Sequence, residues 1–121
     1  MLTVTKIFEF SAGHFLPDYD GKCRESHGHN FVLEVEVADR EDIDDSVYPT
    51  MIIDFSDLKK IVEEKVIDRL DHKTLNDIIP IPTAESLVLW IAGELLSAFH
   101  NRLNRIRLYE TSTSYAEWRR D

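Results

Sequence analysis

The sequence predicts an α+β domain: a four-stranded antiparallel sheet with two helices packed on one face, in the order ββααββ. Two observations lead there. Segments that alternate apolar with polar residues stand at both ends of the chain, at 2–14, 27–38, 104–110 and 113–119, and two stretches of helical apolar spacing, 56–70 and 83–99, lie between them. Strands with one apolar face need a cover, and the two helical stripes supply it.

In the first strand Leu2, Val4, Phe8, Phe10, Ala12 and His14 share one parity. Lys6 and Ile7 break the alternation, which predicts a bulge or an edge position. Pro17-Asp18-Tyr19-Asp20-Gly21 reads as a loop from its turn residues. The second strand is the clearest: Phe31, Leu33, Val35 and Val37 alternate with Asn30, Glu34 and Glu36, so one face is apolar and the other wet. An acidic turn follows at 39–45, and Met51-Ile52-Ile53 reads as a short extension into a helix. That helix is predicted to begin at Ser56 as N-cap, with Asp57 in its first turn and Leu58, Ile61, Val62, Val66 and Leu70 as its apolar stripe. The second starts after Pro82 with Thr83 as N-cap. Its stripe of Leu87, Ile91, Leu95 and Phe99 is widened by Val88, Ala92 and Leu96. In the third strand Ile106, Leu108 and Glu110 fall on one face, and 113–119 closes the sheet as a hairpin.

The 121 residues amount to a single domain spanning 1–121, small enough for oligomerisation to help it. With 43% hydrophobic and 31% charged residues the composition is that of a globular protein. A net charge of -9 with no basic run argues against a nucleic-acid partner. The longest apolar stretch, 87–99, is interrupted by Gly93, Glu94 and Ser97 and is shorter than the roughly 20 residues of a membrane span. Met1 leads into strand-like alternation instead of a signal sequence, which points to a cytoplasmic protein. The lone cysteine, Cys23, sits in a polar stretch beside Lys22 and Arg24. Neighbouring cations favour a thiolate, and a reactive thiol and an inert one both fit this setting.

His27-Gly28-His29 places two imidazoles at i and i+2, pointing the same way on a strand and sharing the parity of Phe31 and Leu33. His14 ends the first strand on the parity of Phe10 and Ala12. Two adjacent strands can thus bring three imidazoles to one point. Three separate, polar-capped core histidines would give the same pattern one by one, but three of the five histidines on inward parity at strand ends favour a metal. Three neutral ligands would leave a zinc ion its full charge and an open fourth position, as in catalytic sites. With Cys23 as fourth ligand the site would instead be closed and structural.

The stretch Cys23-Arg24-Glu25-Ser26-His27-Gly28-His29-Asn30-Phe31 resembles the signature of the 6-pyruvoyltetrahydropterin and 6-carboxytetrahydropterin synthase superfamily. Phe10-Ser11-Ala12-Gly13-His14, Ile53-Asp54-Phe55, Leu70-Asp71-His72 with Leu75-Asn76-Asp77, Pro82-Thr83-Ala84-Glu85 and Glu110-Thr111 resemble further segments of that family, in the same order along the chain. The resemblance implies the tunnelling fold (T-fold) and a homo-hexamer built as a dimer of trimers, with active sites at subunit interfaces. It also implies zinc on His14, His27 and His29, Cys23 as general base, and Asp71 and His72 as the partner acid/base pair. Glu110 would anchor a pterin, with Thr83 and Ala84 framing the ring; both have a simpler use at the start of a helix. Asp71 alone would be read as solvating a helix end.

Glu110 also has an argument of its own. A carboxylate on an inward strand face is costly unless paired, and the amino-pyrimidine edge of a pterin offers two parallel N–H donors to one carboxylate. Lys22, Arg24 and Lys73 are candidates for a triphosphate, though loop cations are more often simply solvated.

The resemblance implies a lyase acting on 7,8-dihydroneopterin triphosphate. The three-residue gap between Cys23 and His27 resembles the 6-carboxytetrahydropterin synthase branch, which releases acetaldehyde and triphosphate and feeds deazaguanine biosynthesis of the queuosine type. Elimination of triphosphate with the side chain kept, as by a 6-pyruvoyltetrahydropterin synthase, is the alternative. The presence of Glu25 beside Cys23 leaves room for folate-branch cleavage of the side chain. A zinc-containing pterin-binding module without turnover is the non-enzymatic alternative.

Overall fold

The computed structural model describes residues 1–21, 24–40 and 50–121. Strands β1 (Thr3–His14), β2 (His27–Ala38), β3 (Leu103–Thr111) and β4 (Ser114–Arg119) form one antiparallel sheet in the order β1-β2-β3-β4. Between β2 and β3 the first predicted helix is segmented: α1 (Phe55–Val62) passes through a π-helical turn (Glu63–Ile67) into α2 (Asp68–Leu70). The second is the unbroken α3 (Ala84–Phe99). Class and element order are those predicted.

Strand alternation puts Phe8, Phe10, Phe31, Leu33, Val35, Val37, Ile106 and Leu108 on one face, all buried. Leu58, Val62, Val66 and Leu70 from the segmented helix, and Leu87, Ile91, Leu95 and Phe99 from α3, pack on that face as one core. Each such side chain contributes about 1.5–3 kcal/mol by leaving water. The opposite face is charged. Arg105 lies 3.3 Å from Glu34, 3.4 Å from Glu36 and 3.4 Å from Glu117, and Glu117 also meets Arg107 at 2.9 Å and Arg119 at 3.0 Å.

One local expectation changes. The first helix begins two residues early, at Phe55, because Asp54 and not Ser56 is its N-cap: the Asp54 carboxylate accepts the Ser56 N–H at 2.7 Å from an extended backbone. Two capping residues stand within three positions, and the earlier one holds the non-helical conformation a cap requires. The 51–53 segment forms no strand, although Ile52 is buried. Of the predicted acidic turn at 39–45 only Asp39 and Arg40 fall among the described residues.

The break at Lys6 and Ile7 marks an edge, not a bulge, since β1 and β2 stay in register from Thr3↔Ala38 to His14↔His27. The last part of that edge is covered. The turn after α2 runs beside β1, with His72 N–H donating to Ser11 O at 2.6 Å and Gly13 N–H to Lys73 O at 3.0 Å. Backbone groups that would otherwise face outward are thereby paired.

Candidate metal centre

His14 and His27 are directly opposite across the β1–β2 ladder, and His29 stands opposite Ala12. Side chains on one face of such a pair are near neighbours, and the three imidazole rings lie 4.6, 4.8 and 5.0 Å apart between centroids. Their candidate ligand atoms all fall within 4.8 Å of one another, an arrangement that could hold a metal ion.

Two rings are oriented by backbone carbonyls. His14 Nδ1 is 2.8 Å from Pro82 O, and His27 Nδ1 is 2.8 Å from Glu25 O. A carbonyl can only accept, so each Nδ1 carries the proton and each Nε2 presents a lone pair. Metal-bound histidines use the same arrangement to fix tautomer and aim. His14 is 3% exposed, yet its Nε2 and that of His29 are buried without a hydrogen-bond partner. Orphaned polar atoms of this kind are costly unless something binds them. Burial depresses the His29 pKa, the nearby Glu110 carboxylate opposes that effect, and His14 and His27 reinforce it. The net lowering favours the neutral ring, the form in which a histidine binds a metal.

Glu110 Oε1 lies 3.3 Å from His29 Nε2, close but without hydrogen-bond geometry. The β3–β4 register shifts between Tyr109 and Thr111, leaving Glu110 as the extra residue. A bulge re-aims a side chain. Glu110 lines a cleft of ≈ 710 Å³ between the start of α3 and β4, together with Ala84, Val88, Ala116 and Trp118. Thr83 does not line this cleft; its hydroxyl caps α3 by accepting the Ser86 N–H at 3.1 Å.

Asp71 and His72 sit together where α2 ends. Asp71 Oδ1 accepts the Ser11 N–H at 2.9 Å, and Asp71 Oδ2 is 3.6 Å from His72 Nε2. The His72 side chain is 82% exposed on a left-handed backbone (φ 59). His72, Lys73 and His29 all line a shallow depression of ≈ 380 Å³. Arg24 is exposed, and Cys23 and Lys22 lie outside the described residues. What the sequence did not announce is the set of carbonyls, Pro82 O and Glu25 O, that orient two rings. Backbone acceptors leave no residue-type signature; the trace of the first is the proline just ahead of the α3 cap.

Residues 3–121 match the protein family described as 6-pyruvoyl tetrahydropterin synthase. The chain belongs to that family. It is 38% identical over 120 residues to the 6-carboxy-5,6,7,8-tetrahydropterin synthase of Synechocystis, covering 98% of this chain and 93% of the relative. It is also 36% identical over 88 residues to the dihydroneopterin monophosphate aldolase of Pyrococcus furiosus, covering 71% of each. The solved 6-pyruvoyl tetrahydropterin synthase of Caenorhabditis elegans superposes with a TM-score of 0.81 at 25% identity, covering 99% of this chain and 96% of that one. The fold predicted by resemblance is therefore the fold of the family, and the relatives support a pterin synthase or lyase.

Proposed function

We propose that this chain is a zinc-dependent carbon–carbon lyase that converts 7,8-dihydroneopterin triphosphate and one water to 6-carboxy-5,6,7,8-tetrahydropterin, acetaldehyde and triphosphate. The observation that carries this reading is the set of three convergent imidazoles, two of them with the tautomer fixed and two with a buried, unpartnered Nε2. His14, His27 and His29 would hold the ion. When bound there, Zn2+ supplies Lewis acidity to the side-chain hydroxyls of the substrate.

The chain's own groups do the rest. Glu110, aimed into the cleft, accepts two parallel N–H donors from the amino-pyrimidine edge of the pterin and so sets which carbon faces the histidines. Ala84 frames the ring, and Thr83 keeps the start of α3 in place beside it. Cys23 as thiolate takes the proton next to the hydroxyls, and the Asp71–His72 pair acts as the second acid/base. The exposed His72 would work at an interface between subunits, in the homo-hexamer that the family resemblance implies. Lys73, beside His72 and His29, is the described cation best placed for the triphosphate. The product would feed deazaguanine biosynthesis in the cytoplasm.

Product analysis by mass spectrometry, with and without a chelator, tests the reading. Metal-dependent appearance of the 6-carboxy product with acetaldehyde and triphosphate is the expected result. Turnover that survives complete zinc removal would sink the metal mechanism. A second reading, cleavage of the side chain toward a folate precursor, is favoured by the Pyrococcus relative and by Glu25, whose carbonyl already holds His27. It predicts loss of the side chain without a 6-carboxyl group. A retained side chain with triphosphate lost would mark the 6-pyruvoyl reaction, and a bound pterin with no product would mark a binding module.

A further inference from the structure

Asn76 has no part in the proposed chemistry, yet it makes both of its hydrogen bonds to a single backbone unit. Its Oδ1 accepts the Phe15 N–H at 3.1 Å, and its Nδ2 donates to Phe15 O at 2.9 Å. The side-chain amide thus copies what a neighbouring strand would offer. Phe15 directly follows His14, the most buried of the three histidines. One residue before His14, Gly13 N–H is held by Lys73 O. The edge of β1 is therefore tied on both sides of His14, while His14 itself is paired with His27 across the ladder and its ring is held by Pro82 O.

We propose that Asn76 is a positioning residue for the metal centre: by clamping both polar groups of Phe15 it fixes the backbone from which His14 projects. The proposal rests on the metal reading above. Without the clamp β1 would end as a frayed edge strand at the point where a ligand must be placed, and a ligand that loses its aim binds metal less well, as when a group bonded to the ligand itself is removed. Only an amide supplies donor and acceptor in this geometry. A carboxylate in its place keeps the acceptor but sets an oxygen against Phe15 O.

The test measures Zn2+ affinity by chelator competition on the full chain for the wild type, Asn76→Ala, Asn76→Asp and the control Asn104→Ala. Asn104 is also partly buried with two side-chain bonds, to Glu36 and from Arg40 at 2.6 Å each, but it sits at the far end of the sheet. Both Asn76 variants should bind zinc about 10-fold more weakly, the low end of what loss of a group bonded to the ligand itself costs, with faster amide exchange at Phe15. Asn104→Ala should keep wild-type affinity even where its melting temperature falls as far. If Asn76→Ala fails to fold, Asn76→Asp carries the comparison. Unchanged zinc affinity in a folded Asn76 variant overturns the clamp alone, as does an equal loss of affinity in Asn104→Ala. A wild type that binds no zinc overturns the metal reading and the clamp with it.

Discussion

At the residue scale, the three histidines divide the work between aim and charge. His14 and His27 are each held through Nδ1, and burial shifts His29 toward its neutral form. Loss of one ring should remove the metal without unfolding the sheet, since His27 is only half-buried. His27→Ala is expected to purify without stoichiometric zinc and with wild-type circular dichroism; stoichiometric zinc in that variant would refute the assignment. Glu110→Gln keeps the size and loses the charge. It should weaken pterin binding by about 2 kcal/mol, roughly 30-fold, while leaving zinc content intact. Titration with a non-reacting pterin reads the first effect and metal analysis the second. The inward aim of these four side chains was legible from strand parity alone. That Glu110 sits at a register shift was not, because the 106–110 alternation runs straight through it.

At the scale of elements, the second helix was read more accurately than the first. Thr83 caps α3 as expected, and Thr83→Ala should cost about 1 kcal/mol in denaturant unfolding, with Thr83→Ser close to wild type. In the first helix the apolar spacing survives but the π turn at Glu63–Ile67 does not show in it, since one wider turn shifts a stripe by less than a residue's width. The path of the turn after α2 along β1 was equally illegible, because its bonds to Ser11 and Gly13 are mostly backbone ones without periodicity. On the wet face of the sheet, burial tends to raise the Glu117 carboxyl. Hydrogen bonds from Arg107 and Arg105 and the charges of Arg107 and Arg119 outweigh it and hold the group below its ordinary value. A lowered carboxyl favours the folded state above the unfolded value of about 4.3, and that contribution disappears as pH falls through the folded value. Glu117→Gln should therefore be less stable than wild type at neutral pH and lose less stability on acidification, as followed by urea unfolding from pH 7 to pH 3. Parallel curves would show that the network adds nothing.

At the scale of the whole molecule, the ββααββ order was legible because strand and helix periods alternate cleanly, and the two histidine motifs that carry part of the family resemblance fall on the paired strands β1 and β2. Among the described residues no helix is long and apolar enough to cross a membrane. A metal bound to the folded chain and not to the unfolded one adds stability by mass action, about 4 kcal/mol at a free concentration ~1,000 times the dissociation constant. Chelation should lower the melting temperature accordingly, and a scan with and without chelator measures it.

All three candidate ligands belong to one hairpin, β1–β2, between residues 14 and 29, whereas their supports at Asn76 and Pro82 arrive from 61 and 68 positions away. Closing the hairpin loop is a fast and local event, while docking the distant segment waits for the helices to condense. An ion can thus meet a full ligand set on a chain that has not yet acquired the distant groups that hold His14. Zinc would then act as a template for the first strand pairing as well as a cofactor of the finished protein. Refolding should speed up when the ion is present from the start and remain slow when it is added after collapse.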